Sequence, residues 1–71
     1  MNETIFLGAN LEPVTPKAGQ WFCEVTYDAS QEGYEIALVE FIGWIDGTGY
    51  VVSDGDDIRR PSGDVMILRN I

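Results

Sequence analysis

The chain has no histidine, one cysteine and four basic residues, and each scarcity removes a class of function. Without His, neither a Ser-His nor a Cys-His catalytic pair can form, and the commonest general base is missing. With Cys23 alone and no His, a structural zinc site lacks ligands. A single cysteine also excludes an internal disulfide, the usual staple of a secreted domain this small, so a cytoplasmic location is expected, a host cytoplasm if the chain is viral. Nowhere do about 18 uncharged apolar residues follow one another, as a membrane-spanning helix requires. The start, Met-Asn-Glu-Thr-Ile-Phe-Leu-Gly, has no basic, apolar targeting pattern.

Other chemistry-bearing patterns are equally thin. Gly47-Thr48-Gly49 has no Lys or helix after it and does not match a phosphate-binding loop. Asp54-Gly55-Asp56-Asp57 lacks the spaced ligands and terminal Glu of a calcium-binding EF-hand loop. Twelve carboxylates in 71 residues bring two together by chance, so pairing alone does not argue for acid–base catalysis. No cofactor, no metal and no enzymatic activity are expected.

The scarcity of basic residues is also a matter of position. From Ala18 to Ile58 there are nine carboxylates and no Lys or Arg; Lys17 precedes this block, and Arg59, Arg60 and Arg69 follow it. The net charge of -8 is therefore segregated, and its field is one-sided. Such a field repels nucleic acid and anionic membranes and speeds encounter with basic proteins at low salt. Direct nucleic-acid binding and membrane binding are thus disfavoured.

What is present is enough apolar material for a core. Hydrophobic residues make up 45% of the chain and aromatics 11%, and each large aromatic can bury roughly 150–250 Å². One domain over residues 1–71 is expected, burying about 60% of its unfolded surface.

The apolar periodicity is that of strands. Trp21, Cys23, Val25 and Tyr27 alternate with Phe22, Glu24, Thr26 and Asp28, the pattern of a half-buried strand. The odd-numbered set forms the apolar face, which makes Cys23 a packed thiol and assigns Trp21, like Trp44 in its own run, to the core. Residues 34–45 are apolar on both faces. Ser30 as a cap and Glu35, Ala37, Leu38 and Glu40 would allow a helix over 30–41, but Gly33 and the β-branched and aromatic cluster favour a strand. Twelve extended residues span roughly 40 Å, so a bulge near Gly43 is expected. Asp46-Gly47-Thr48-Gly49 is a hairpin turn leading to a strand at 50–53. Residues 54–63 read as an exposed loop, Val65–Leu68 as the last strand with 69–71 trailing, and Thr4–Leu7 as an edge strand before a long connection. The expected fold is all-β, a small antiparallel curled sheet or SH3-like or OB-like barrel of four or five strands, becoming α+β if 30–41 is helical.

In a meander of these strands the turn at 28–33 and the loop at 54–63 lie at the same end. Asp28, Glu32 and Glu35 then form one acidic group, and Asp54, Asp56 and Asp57 another. With a four-residue turn at 46–49, Asp54 lies opposite Phe41, roughly 23 Å from Tyr34 along a straight strand, so only a bent strand or folded-back loop merges the groups. Same-face residues on one strand recur every ~6.7 Å, whereas duplex DNA carries a charge per roughly 1.7 Å, so any phosphate-like patch must combine several segments. Arg59 and Arg60 compensate the neighbouring aspartates, pair across the loop, or anchor a partner.

In size, acidity and lack of catalytic residues, the chain is similar to small phage-encoded anti-defence proteins, anti-CRISPR and anti-restriction proteins among them. The likeness is one of composition and covers no motif. It implies a non-enzymatic inhibitor whose acidic face docks on a basic, nucleic-acid-binding surface of another protein through Asp28, Glu32, Glu35, Asp54, Asp56 and Asp57. The alternative is an assembly module that forms homo-oligomers through an aromatic patch or a strand edge, with Val65–Leu68 as the least charge-protected edge. An inert acidic surface that only provides solubility is the plainer alternative.

Overall fold

The computed structural model describes residues 4–69, all of whose regular structure is β. Six strands, β1 (Ile5–Leu7), β2 (Trp21–Asp28), β3 (Gly33–Ile45), β4 (Gly49–Ser53), β5 (Ile58–Arg59) and β6 (Val65–Arg69), form one curled sheet in the order β1-β6-β2-β3-β4-β5. The small curled sheet is as the sequence predicts, with two differences. β5 lies inside the stretch read as a loop, two residues too short to show a periodicity. The sheet is also mixed: β6 lies antiparallel to β2, but β1 runs parallel to β6. A parallel pair requires a long crossover, and here most of the chain supplies it. Residues 1–3 and the trailing 70–71 lie outside the described residues.

The 30–41 segment is strand. Thirteen extended residues in β3 would reach roughly 43 Å at ~3.3 Å each, against a longest molecular dimension of 33 Å. The strand bends at the expected place. Pairing with β4 skips a residue between Phe41 and Gly43, and Gly43 takes φ 150°, outside the range that side chains favour. The hairpin that follows closes with Thr48 N–H donating to the Ile45 carbonyl at 3.0 Å, and Gly47 and Gly49 take positive φ as that turn requires.

The core lies inside the curl. Phe6, Phe22, Val39, Phe41, Val52 and Met66 pack together, and Val14 and Leu68 close over them. Phe6 meets Phe22 and Phe41 edge-on, with ring centroids 5.5 and 5.7 Å apart, the arrangement that sets a ring's positive edge against its neighbour's negative face. On β2 the buried positions are therefore Phe22 and Glu24, the reverse of the face that the alternation favours. Trp21 and Trp44 are not in the core: they are 37% and 63% exposed. Cys23 is half-buried on the outer face. The alternation read correctly as strand but inverted as to side, because a carboxylate occupies a core position.

Candidate functional site

Glu24 enters the core because three residues of one later stretch, Arg59, Ser62 and Gly63, satisfy it. Both terminal nitrogens of Arg59 grip its carboxylate, Nη2 to Oε1 at 2.8 Å and Nη1 to Oε2 at 3.1 Å. The Ser62 and Gly63 N–H groups donate to Oε2 at 2.9 and 3.2 Å. Burial pushes the carboxyl pKa up, but the Arg59 hydrogen bonds, the backbone donors and the guanidinium charge outweigh it and hold the group below its ordinary range. The same contacts, Glu24 first, raise Arg59 above its own. Gly63 is required at this point: a Cβ there would stand 2.7 Å from Glu24 Cγ and 2.8 Å from the Val25 carbonyl oxygen. The segment from β5 to β6 is thus latched across the open end of the curl, and sequence reading placed Glu24 among the surface acids.

The six carboxylates expected to form a docking patch are all at the surface. Asp28, half-exposed, and Glu32, exposed, flank the β2–β3 turn. Asp28 Oδ1 accepts from Ser30 N–H at 3.0 Å and from its hydroxyl at 2.6 Å, which lowers the Asp28 pKa. Glu35 points to the inner side of β3, the side of Val39 and Phe41. Ser53 pairs with Glu40, so Asp54 follows on at the level of Val39, not Phe41. That leaves roughly 17 Å of strand between Asp54 and Tyr34. β3 bends beyond this interval, at Gly43, but the segment after β4 folds back, and Arg59, paired with Asp54, lines one cleft with Glu35. The 54–57 loop spends Asp54 internally: Asp54 Oδ1 accepts from the Asp56 and Asp57 N–H groups, and Oδ2 from Arg59 Nε at 3.2 Å. These bonds, the backbone donors first, lower its pKa. The ion pair across the loop is the one expected for Arg59. Among the described residues, no three His, Cys, Asp or Glu side chains are placed to share a metal ion.

The larger feature is the outer face of the sheet. Cross-strand register aligns Ile5, Val65, Val25 and Ile36 in one row, and Leu7, Ile67, Cys23 and Leu38 in the next. The Tyr27–Tyr34 pair borders them at one end, rings 5.3 Å apart, and Arg69, Trp21 and Glu40 border them at the other. Tyr34 is 71% exposed and Ile36 68%. From strand and residue spacings, these rows cover roughly 260 Å² and the tyrosine pair brings the apolar surface to roughly 320 Å², within the range of the largest patch on a monomer, which is often functional. No carboxylate interrupts them. Asp28 and Glu32 stand just beyond the tyrosines, and Glu40 stands at the far border. The signal was in the sequence: an apolar odd-numbered face on β2 beside a β3 that is apolar on both faces, of which the core needs only one.

The edge named for self-association, Val65–Leu68, is not an edge, since β6 is paired with β1 on one side and β2 on the other. Among the described residues, no helix is long and apolar enough to cross a membrane. No family model, curated protein or solved structure matches the chain.

Proposed function

We propose that the chain is a non-enzymatic protein-binding module whose outer sheet face docks on an apolar surface bordered by Lys and Arg on a partner protein. The unpartnered double row of aliphatic side chains, with tyrosines and carboxylates at its border, carries the reading. Burying such a face supplies affinity, and the acidic border selects and steers a basic partner. Where that partner handles nucleic acid, occupying its basic surface excludes the polyanion, and the module acts as an inhibitor. The face alone offers about two fifths of the ~800 Å² per partner of a standard interface, so contacts beyond it are needed for tight binding.

The test is capture of partners at low salt by the wild-type chain, by Val25→Lys and by the double variant Asp28→Lys/Glu32→Lys, each confirmed as folded by circular dichroism. The wild type should retain a basic protein that Val25→Lys loses and that the double variant releases at lower salt, within the roughly 0.1–0.5 M range where exposed charges are screened. Equal retention by the wild type and Val25→Lys would overturn the proposal.

A further inference from the structure

β3 is paired with β2 along its whole first half, Gly33 opposite Asp28 through Val39 opposite Phe22, but β4 joins it only from Glu40 onward. Its other edge, from Tyr34 to Leu38, has no strand beside it among the described residues. The backbone groups on that edge can be identified. Phe41 N–H donates to the Gln20 carbonyl at 2.7 Å, so Phe41 faces β2. By the alternation of antiparallel ladders, Val39, Ala37 and Glu35 face β2 as well. Tyr34, Ile36 and Leu38 therefore turn their N–H and C=O groups to the open side, a ready template for another strand.

A cleft of about 570 Å³ adjoins this edge, lined by Glu35, Ile36 and Ala37 on β3, Glu24 and Thr26 on β2, and Arg59 and Ser62 across the gap. Glu24 and Arg59 are committed to each other, which leaves the Glu35 carboxylate as the free charge in the cleft. The Asp54–Asp57 loop stands at the Leu38 end of the edge.

The geometry points to an extended peptide of alternating apolar and basic residues, a segment of the partner protein, adding as a strand to the Tyr34–Leu38 edge. Residues opposite Tyr34, Ile36 and Leu38 would extend the apolar outer face, and those opposite Glu35 and Ala37 would turn Lys or Arg towards Glu35 and the aspartate loop. This rests on the reading of the outer face as a docking surface and names the partner element that completes its area. A second copy fits less well. Antiparallel pairing about Ile36 would bring the turn bearing Asp28 and Glu32 against the other copy's Ser53–Asp57 segment, where like charges repel.

The probe is acetyl-Val-Lys-Val-Lys-Val-Lys-Val-amide, with the peptide carrying Glu for Lys as control, and the readout is amide hydrogen exchange by NMR. The lysine peptide should slow exchange at Ile36 and Leu38 at least about tenfold and leave Ala37 and Val39, already held by β2, unchanged. The glutamate peptide should leave all four unchanged. The proposal is overturned if the lysine peptide does not slow Ile36 and Leu38, if the glutamate peptide slows them equally, or if both are slow in the free protein and its mass is that of a dimer. Val25 stands directly opposite Ile36, so Ile67→Lys on β6, two strands from this edge, separates the two ideas: loss of partner capture by that variant combined with failure of the peptide would remove the edge proposal and leave the face proposal standing.

Discussion

Arg59 holds the Glu24 carboxylate with both terminal nitrogens, across 35 residues of sequence, and reaches Asp54 with its Nε. The side chains of Glu24 and Arg59 are 4% and 29% exposed, so most of the pair is withdrawn from water. Removing one partner from such a pair leaves a buried charge with too few donors, which costs about 3 kcal/mol.

Arg59→Ala should therefore be destabilised by about 3 kcal/mol, a large share of the roughly 4–10 kcal/mol expected for a chain of this length. Arg59→Lys should recover only part of this, because a lone ammonium cannot grip both oxygens. Urea unfolding of the two variants and the wild type measures the difference. A loss below about 0.5 kcal/mol for Arg59→Ala would show that the latch is ornamental.

Acid should weaken the fold through the same carboxylate. Glu24 is held below its ordinary value of 4.5 in the folded chain, so folding favours its ionised form. That stabilisation is fully present above about 4.5 and is lost as pH falls through the lower, folded value. Asp28 and Asp54, lowered from 3.8, act in the same direction. Thermal melts from pH 7 down to 2 should show Tm falling in the acid range, with a shallower fall in Glu24→Gln at equal salt.

Gly63→Ala should destabilise by about 1–3 kcal/mol, since its methyl group would have to displace Glu24 or the β2 backbone. In its NMR spectrum the Ser62 and Gly63-position amides should lose the shifts of carboxylate-bonded groups, while Phe22 and Met66 keep core environments.

Glu32 occupies φ 52° at the end of the β2–β3 turn, a left-handed conformation that costs a side chain about 1 kcal/mol. Glu32→Gly should raise stability by about 0.5–1 kcal/mol and at the same time weaken capture of a basic partner. A rise in Tm with unchanged salt release would remove Glu32 from the binding border.

Exposed apolar residues on the outer face should be cheap to lose. Tyr34→Ser with Ile36→Ser should change stability by no more than about 1 kcal/mol while reducing binding of hydrophobic dyes. Trp21 and Trp44 should both be quenched by acrylamide in the native state.

The strands were legible wherever alternation ran for several residues, in β2, β3 and β4, and the bulge followed from length and Gly43 alone. What the pattern could not show was which side of β2 faced inwards. Glu24 is a core residue only because Arg59, Ser62 and Gly63 are folded onto it from 35 to 39 positions away, and no local rule records such a partner. For the same reason the odd-numbered face, the more apolar by count, is read as the core side although it is the outer face of the sheet. Mixed pairing escaped too, because β1 finds β6 only through the whole fold. Of the predicted site, Asp28 is drawn into its own turn through Ser30, and Asp54 into its own loop.

The parallel pairing of β1 with β6 joins Ile5 to Val65 and places the final strand between the first two. Local contacts can build the β2–β3–β4 meander early, but closing a loop of this length is entropically slow, and Phe6 and Met66 enter the core only afterwards. Until β6 docks, then, the meander holds Phe22 and Val39 without their cover, so vulnerability to proteases is concentrated in the interval before that strand is in place.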